Sequence, residues 1–329
     1  MSSVAIWSSP KVPGAKLTCP IEVHFNLWRL RNKRLRRIEQ FLDIGLMIEN
    51  SSNMDSLNLY LPFAVKERIR DLGKSLETTS AIQAVFNEPW CAVVDPGKST
   101  IQVMDFDKKD IFQIYKLNDK DIEVTSVYGG SLLRLLVPDT LQTKTYFRFR
   151  ICVPDLWPIT KEDKPSNSWL ESAFFVTEIV DFHLNEKRNL SEELLRAMHE
   201  GCAVSFTKTH LFLMRYNNYD HIFSHPFPVD TRTLEQTVWT EYISADYAGE
   251  RILAYHWRQK IERKASVNSV AVSKASESSP EGFSSFNVFA KFRFQKANKS
   301  TILIFLVGIL AISIIGGLIA NCIYNTFWG

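Results

Sequence analysis

The sequence predicts an α+β protein: a mainly antiparallel β body with a few helices, followed by one C-terminal transmembrane helix. Three observations lead to this prediction. Apolar and polar residues alternate over many short stretches, and turn-forming residues such as Gly, Pro, Asn and Asp separate them. Helical spacing of apolar residues is confined to a few segments. Residues 300–329 carry no charged side chain.

Alternating hydrophobicity identifies the predicted strands, because successive side chains of a strand point to opposite faces. Two segments instead have the helical spacing: AVKERIRDLGKSL (64–76) and LSEELLRAM (190–198), in which Ser191 is a candidate N-cap. The predicted strands are IEVHFNL (21–27), FLDIGLMIE (41–49), SLNLYLPF (56–63), STIQVMDF (99–106), IFQIYKL (111–117), IEVTSVY (122–128), TYFRFRICV (145–153), TEIVDFHL (177–184) and THLFLMRY (209–216).

The segment GKST (97–100) matches the last residues of the phosphate-binding motif G-x-x-x-x-G-K-[ST] but lacks the first glycine of that motif. Such a loop needs a second glycine five residues before Gly97, where this chain has Ala92. Pro96 also removes one of the backbone N–H donors from which the loop is built. Pro followed by Gly suits the centre of a turn, so we predict a hairpin tip here.

Composition changes along the chain suggest five regions. Proline and polar residues accumulate near residues 153–168 and serine in 265–285, which predicts a boundary and a flexible linker. The predicted regions are a β-rich N-terminal subdomain (1–155), a second α+β subdomain (156–264), the linker (265–285), a basic and aromatic juxtamembrane segment (286–300) and the transmembrane helix (301–324).

The apolar C-terminal segment is long enough to span a bilayer. As a helix, residues 302–323 would be about 33 Å long, against about 30 Å of hydrocarbon. Basic residues precede the segment and aromatic residues follow it, which predicts a single-pass, tail-anchored protein with its N-terminal body in the cytoplasm. Small residues at a spacing of four suggest self-association of this helix, through Ser313, Gly316, Gly317 and Ala320.

The overall charge is nearly balanced, with 39 Lys and Arg against 36 Asp and Glu. A nucleic-acid partner is therefore not expected from the net charge, and local clusters of basic residues are considered instead. Anionic lipid headgroups are the predicted partner of two such clusters. The first is RLRNKRLRR (29–37), interpreted as a hairpin tip or alternatively as a solvated, ion-paired surface. The second is the juxtamembrane segment, in which phenylalanines alternate with basic residues. The residues are Arg29, Arg31, Lys33, Arg34, Arg36, Arg37, Lys291, Arg293, Lys296 and Lys299.

Catalytic candidates are weak in this sequence. Asp181 and His183 share one face of a predicted strand, a geometry that could serve a ligand, a phosphodiester hydrolysis site or merely a wet sheet surface. Together with His210 they are the catalytic candidates for a metal-dependent hydrolase. No spacing of His, Cys or carboxylates matches a metal motif, and no metal or cofactor is predicted. The five cysteines are scattered without a Cys-x-x-Cys pair, as expected for a reducing compartment.

The sequence thus favours a tail-anchored protein whose cytoplasmic body recognises an unidentified protein or ligand and acts at the membrane. One form is an oligomerising membrane effector, such as those of prokaryotic defence. The alternatives are a membrane-tethered metal-dependent hydrolase and a membrane scaffold that recruits a cytosolic protein. An enzyme is the less favoured class.

Overall fold

A computed structural model of the chain describes residues 3–12, 14–15, 19–66, 69–141, 143–153, 156–163, 174–247, 251–261, 282–295 and 299–328. The helices are α1 (Thr79–Phe86), α2 (Glu192–Glu200), α3 (Gln236–Ile243) and α4 (Lys299–Phe327). The strands are β1 (Ala5–Pro10), β2 (Cys19–Asn32), β3 (Arg37–Ile48), β4 (Met54–Leu61), β5 (Arg70–Asp71), β6 (Cys91–Val94), β7 (Thr100–Met104), β8 (Asp110–Tyr115), β9 (Ile122–Val127), β10 (Gly130–Leu136), β11 (Thr145–Val153), β12 (Thr160–Asp163), β13 (Phe175–Leu184), β14 (Val204–Tyr216), β15 (Tyr219–His225), β16 (Asp230–Thr233), β17 (Ile252–Lys260) and β18 (Phe286–Gln295).

The strands form one large and two small sheets. The ten-stranded sheet has the order β16-β17-β14-β2-β3-β11-β8-β7-β6, with β5 beside β11. Most neighbours are antiparallel, but β14 pairs with β2 and β11 pairs with β8 in parallel. The small sheets have the orders β1-β4-β10-β9 and β12-β13-β18-β15. The predicted β-rich fold with few helices and one C-terminal apolar helix is confirmed.

The two faces of the large sheet have different neighbours. On β2, Ile21, Val23 and Phe25 are fully buried on the face that meets the small sheets, and the Phe25 ring lies 4.9 Å from that of Phe182 on β13. The intervening residues, including Glu22 and His24, point to the opposite face. On that face Trp28 packs against α3, with 5.8 Å to the ring of Trp239. This second face carries the polar side chains described below.

Each of the nine predicted strand segments coincides with a strand, and five of them extend one to three residues beyond it; the strands are β2, β3, β4, β7, β8, β9, β11, β13 and β14. The predicted hairpin at GKST is also confirmed, because β6 and β7 pair antiparallel across it and Gly97 has a φ of 93°. Only a residue without a Cβ adopts that conformation at low cost.

Of the two predicted helices, one is confirmed and one is wrong. Residues 190–198 fall on α2, where the Ser191 hydroxyl accepts a hydrogen bond from the backbone N–H of Leu194 at 3.3 Å. In 64–76 the described residues form β5 and a 3₁₀ turn at Lys74–Leu76 instead. Asp71 accepts hydrogen bonds from the backbone of Gly73, Lys74 and Leu117, which stabilises a turn at the point where a helix would have to continue.

The predicted boundary at 155/156 stays a prediction, but strands from both sides of it share one sheet. Thus β14 of the second region pairs with β2 of the first. The predicted flexible linker, 265–285, also stays a prediction. Residues 265–281 lie outside the described residues, yet Phe286–Gln295 forms β18 within the body. The serine-rich segment therefore connects two strands of the body, and does not separate the body from α4.

Helix α4 is exposed over most of its described length, and the half-buried Phe305 lies 4.9 Å from the ring of Phe174. Residues 302–327 are long and apolar enough to cross a membrane, and none of this segment is buried against the body. Three residues separate the first residue of α4, Lys299, from the end of β18 at Gln295. The chain therefore has a β-rich body and one C-terminal helix that fits a single bilayer crossing by length and composition.

Candidate functional site

A cluster of titratable side chains lies on the polar face of the large sheet. Glu22 and His24 are two residues apart on β2 and therefore share a face. On the neighbouring strand β14, Lys208 is in register with Glu22 and His210 with His24. A bulge between Phe206 and Lys208 shifts the register just before this pair. The bulge aims the Lys208 and His210 side chains to the same face as Glu22 and His24.

Three donor atoms converge in this cluster. Nε2 of His24 lies 2.9 Å from Oε1 of Glu22, and Nε2 of His210 lies 3.5 Å from the same oxygen. Among the residues that the structure describes, these three form the one group of metal-ligand side chains whose donor atoms all lie within 4.8 Å of one another. A carboxylate and two imidazoles are suited to bind a cation or to exchange a proton.

The remaining ring nitrogens of both histidines have partners. Nδ1 of His210 lies 2.8 Å from Nε2 of His256 on β17, and the two rings are stacked. Nδ1 of His24 lies 3.2 Å from the Tyr146 hydroxyl, which also accepts a hydrogen bond from Arg148 at 2.7 Å. These contacts at Nδ1 fix the orientation of both imidazole rings. By contrast, Nε2 of His210 makes no hydrogen bond within the described part of the chain.

The environment controls the charge of the cluster. Burial lowers the pKa of His210 to about 4 and that of His256 to about 3, and it also lowers the pKa of His24. Burial alone would raise the pKa of Glu22. Contacts with the two imidazoles and with the Lys208 ammonium lower this pKa more strongly, so the pKa of Glu22 lies well below its ordinary value. At neutral pH the cluster therefore combines a carboxylate with neutral imidazoles.

The cluster opens into a cavity of about 340 Å³, which we call the histidine cavity. Its walls include α1 and the loop after it on one side and β17 on the other. Three basic side chains (Lys208, Arg232 and Arg258) and three acidic ones (Glu22, Glu88 and Asp230) line the cavity, so its formal charges balance. The lining residues with charge or metal-ligand capacity are Glu22, His24, Glu88, Lys208, His210, Asp230, Arg232, His256 and Arg258.

The predicted set Asp181, His183 and His210 is not brought together. Asp181 and His183 face each other on β13, with 2.9 Å between Oδ1 and Nε2, and His183 also contacts Asn287 of β18. That strand belongs to a small sheet, whereas His210 lies on β14 of the large one. His210 instead joins Glu22, which the sequence did not single out.

The predicted basic hairpin exists, but one of its arginines points inward. Strands β2 and β3 pair up to Asn32 and Arg37, and Asn32 Oδ1 accepts a hydrogen bond from the backbone N–H of Leu35 in the turn. Arg29 is buried and contacts Glu162, Glu178 and Tyr219. It is therefore not available to lipid, which corrects the prediction. The exposed basic residues are Arg31, Lys33, Arg34, Arg36 and Arg37, within the segment 31–37 that we call the basic hairpin.

The juxtamembrane segment requires a second correction. Phe286, Phe292 and Phe294 are buried, because β18 is an inner strand between β13 and β15. These rings pack inside the body and cannot enter a lipid interface. Lys291 and Arg293 lie on the other face of β18, where each has its cationic group near a phenylalanine ring. Lys299 is the first residue of α4, and Lys296 lies outside the described residues.

The small residues of α4 keep a surface on which another helix could pack. A Cβ added at Gly316 or Gly317 would meet nothing within 4 Å. Ala320 is exposed on the same stretch of helix. The Ser313 hydroxyl donates to the carbonyl of Ile309 at 2.9 Å, so its hydrogen is used within the helix. Close approach of backbones at the glycines is thus the available basis for self-association.

Sequence reasoning missed Glu22, His24 and His256. In IEVHFNL a carboxylate and an imidazole alternate with residues that are fully buried, which shows that both point away from the apolar core. That alternation was a usable signal for a polar face. The parallel pairing of β2 with β14 brings His210 beside them, and it has no local signature because His24 and His210 are far apart in the sequence.

Comparison with known proteins adds no functional assignment. No protein-family model matches the chain, and no curated protein sequence matches it. Function is therefore inferred from two features of the structure itself. One is the histidine cavity, and the other is the position of the basic hairpin relative to α4.

Proposed function

We propose that this chain is a single-pass, tail-anchored membrane protein whose cytoplasmic body recognises a protein or ligand while the basic hairpin contacts anionic lipid headgroups. The observation that carries the proposal is positional. The basic hairpin extends from the end of the body at which α4 begins. A body tethered there by α4 would bring the hairpin to the same leaflet.

The strand directions support this placement. Strands β2 and β14 are parallel and both finish near Tyr216, whose hydroxyl contacts the backbone of Arg31. A short turn leads from Tyr216 to β15, and Tyr219 at its start is in register with Phe294 near the end of β18. The Arg29 guanidinium lies 4.8 Å from the Phe294 ring. The hairpin and the start of α4 thus leave neighbouring strand ends.

Charge and apolar exposure in the hairpin suit a lipid surface. Arg31, Lys33, Arg34 and Arg36 form no ion pair with the described residues, and each basic residue near an anionic membrane contributes about 1 kcal/mol of binding free energy. Leu35 at the tip is 53% exposed. An apolar side chain within a cationic loop can enter the headgroup region while its neighbours contact phosphates.

Orientation and clustering complete the proposal. Basic residues precede α4 and aromatic residues occupy its last turn, which favours a cytoplasmic body. The exposed Gly316 and Gly317 would let copies of α4 pack closely, so that recognition by the body is converted into clustering in the membrane. An oligomerising membrane effector, of the kind used in prokaryotic defence, is one protein class that works in this way.

The test uses the full chain reconstituted into vesicles of phosphatidylcholine, with or without phosphatidylserine. Leu35→Cys places a thiol at the hairpin tip, and its reaction with a membrane-impermeant maleimide is followed by peptide mass spectrometry. We expect labelling to be slower with phosphatidylserine, on the order of tenfold, and to recover at high salt.

Phe106→Cys is the matched control. Phe106 is 72% exposed in the β7–β8 turn, at the opposite end of the large sheet from the hairpin. Its labelling should not depend on lipid charge. Equal labelling of Leu35→Cys in both vesicle types would contradict the proposed docking, and recovery of the chain in the soluble fraction of cells would contradict the anchor itself.

A second candidate function is a membrane-tethered metal-dependent hydrolase. It is favoured by a specific observation: a carboxylate and two imidazoles converge in the histidine cavity, which has room for a small substrate at about 340 Å³. Loss of hydrolysis of a phosphodiester substrate in Glu22→Gln, with membrane insertion intact, would support this candidate. No hydrolysis by the metal-loaded full chain would remove it.

A further inference from the structure

We propose that Glu22, His24 and His210 bind one divalent transition-metal ion, and that Zn²⁺ fits the donor set best. The site lies near the start of β2. His24 is eight residues from Asn32, the last residue of the strand, or about 26 Å along an extended chain. The inference is therefore independent of lipid docking and holds whether or not the hairpin contacts a membrane.

The donor types are those of known metal sites. Two neutral imidazole nitrogens and one carboxylate oxygen form the protein ligand set of a common class of zinc site, which leaves a fourth position for water or substrate. The same combination also suits other first-row transition metals, whereas Mg²⁺ prefers oxygen ligands alone. Glu22 supplies a carboxylate, and His24 and His210 supply the imidazoles.

The distances are close to those that a metal requires. In a tetrahedral zinc site with bonds of about 2.0–2.1 Å, ligand atoms lie about 3.3 Å apart. The Glu22 oxygen is 2.9 Å from Nε2 of His24 and 3.5 Å from Nε2 of His210. Since all three side chains project from paired strands, small rotations of their χ angles would bring the donors into place without backbone movement.

The surroundings of the ligands are also those of a metal site. A histidine ligand usually has its other ring nitrogen held by a hydrogen-bonding partner, which fixes the orientation of the ring. Here Nδ1 of His210 is held by His256, and Nδ1 of His24 by Tyr146. Tyr146 is fixed in turn by Arg148, which is fully buried.

One buried atom lacks a partner that a metal would supply. His210 and His256 share a single proton across 2.8 Å. When His210 carries that proton on Nδ1, its Nε2 presents a lone pair toward the Glu22 oxygen, and it makes no hydrogen bond within the described residues. Two acceptors facing each other are unfavourable, and a cation between them satisfies both.

The test uses the full chain in detergent, stripped with a chelator and then titrated with Zn²⁺. We expect one Zn²⁺ per chain by elemental analysis, and at least tenfold weaker binding by calorimetry for Glu22→Gln and for His210→Asn. The Glu22→Gln/His210→Asn variant should bind no Zn²⁺ at this site. His183→Asn is the matched control, because it removes a histidine that also faces a carboxylate but lies on another sheet.

Co²⁺ provides a readout on the unmodified chain and does not depend on how the variants fold. Bound by three protein ligands in a tetrahedral arrangement, Co²⁺ should give visible absorption bands that Zn²⁺ abolishes by displacement. Far-ultraviolet circular dichroism checks the fold of each variant. Failure of the unmodified chain to bind Zn²⁺, or unchanged affinity in the double variant, would overturn the proposal. Loss of binding in His183→Asn alone would also overturn it.

Discussion

Arg29 and Arg31 are two residues apart on the same face of β2, yet their environments are opposite. Arg29 is 4% exposed and lies against Glu162, Glu178 and Tyr219 of the small sheet. Arg31 is exposed, because the β2–β3 hairpin extends beyond the edge of that sheet. The comparison teaches that the length of a hairpin relative to the sheet that covers it decides whether an arginine stabilises the fold or remains available to a partner.

The buried side of this comparison includes a fully enclosed ion pair. Arg215 donates from Nε and Nη2 to the two carboxylate oxygens of Glu178, at 2.8 and 2.9 Å, and neither side chain is exposed. Arg29 approaches the same carboxylate at 3.6 Å. The guanidinium groups of Arg215 and Arg29 therefore both lie against the buried carboxylate of Glu178.

The largest expected effect is that of Glu178→Ala. It leaves the Arg215 charge buried without its carboxylate, and we expect the free energy of unfolding to fall by about 3–5 kcal/mol. Urea unfolding of the full chain in detergent, followed by tryptophan fluorescence, measures the loss. Glu123→Ala is the control, since Glu123 pairs with Arg134 at 3.6 Å where both are exposed, and it should change stability by less than about 1 kcal/mol. Equal effects would refute the distinction.

The next effect separates Arg29 from Arg31 directly. Arg29→Ala removes charged hydrogen bonds but leaves Glu178 bound to Arg215, so a loss of about 2 kcal/mol of unfolding free energy is expected. Arg31→Ala removes an exposed side chain and should change stability by less than about 0.5 kcal/mol. The same urea titration compares the two. A similar loss in both variants would mean that the hairpin does not extend beyond the small sheet as described.

The smallest expected effect concerns lipid binding. Arg34→Glu with Arg36→Glu should leave stability within about 0.5 kcal/mol of the unmodified chain. The same change should weaken the contact of the hairpin with phosphatidylserine vesicles enough to abolish the roughly tenfold protection from labelling. Protection of Leu35→Cys from labelling measures that contact.

The control for this charge reversal is Arg188→Glu with Arg196→Glu. Both arginines are exposed, and they lie after the end of β13 that is farther from α4. Net charge changes by the same amount in both double variants. If the control lost protection equally, total charge rather than the hairpin would be responsible for binding.

Local structure was largely predictable from the sequence. Alternation located β2 and β3, Pro96–Gly97 located a hairpin, and Ser191 located the start of α2, because each signal lies within a few consecutive residues. The segment 64–76 was mispredicted because helical spacing was outweighed by the side chain of Asp71, which binds the backbone of a turn.

The candidate site was predictable only in part. His210 was predicted as a weak catalytic candidate, but its partners Glu22 and His24 depend on the register of two strands far apart in sequence. The phenylalanines of β18 were assigned to a lipid interface for a similar reason. Phenylalanines that alternate with basic residues are expected both in an inner strand with one buried face and in a segment at a lipid interface. The pairing of β18 with β13 and β15 distinguishes the two cases, and this pairing is not visible in the local sequence.

The position of β18 has a mechanical consequence. Only three residues separate Gln295 from Lys299, and β18 is hydrogen-bonded along both edges, to β13 and to β15. A force that pulls α4 along the direction of β18 therefore loads both rows of backbone hydrogen bonds at the same time. Such a connection resists extraction of β18 from the sheet.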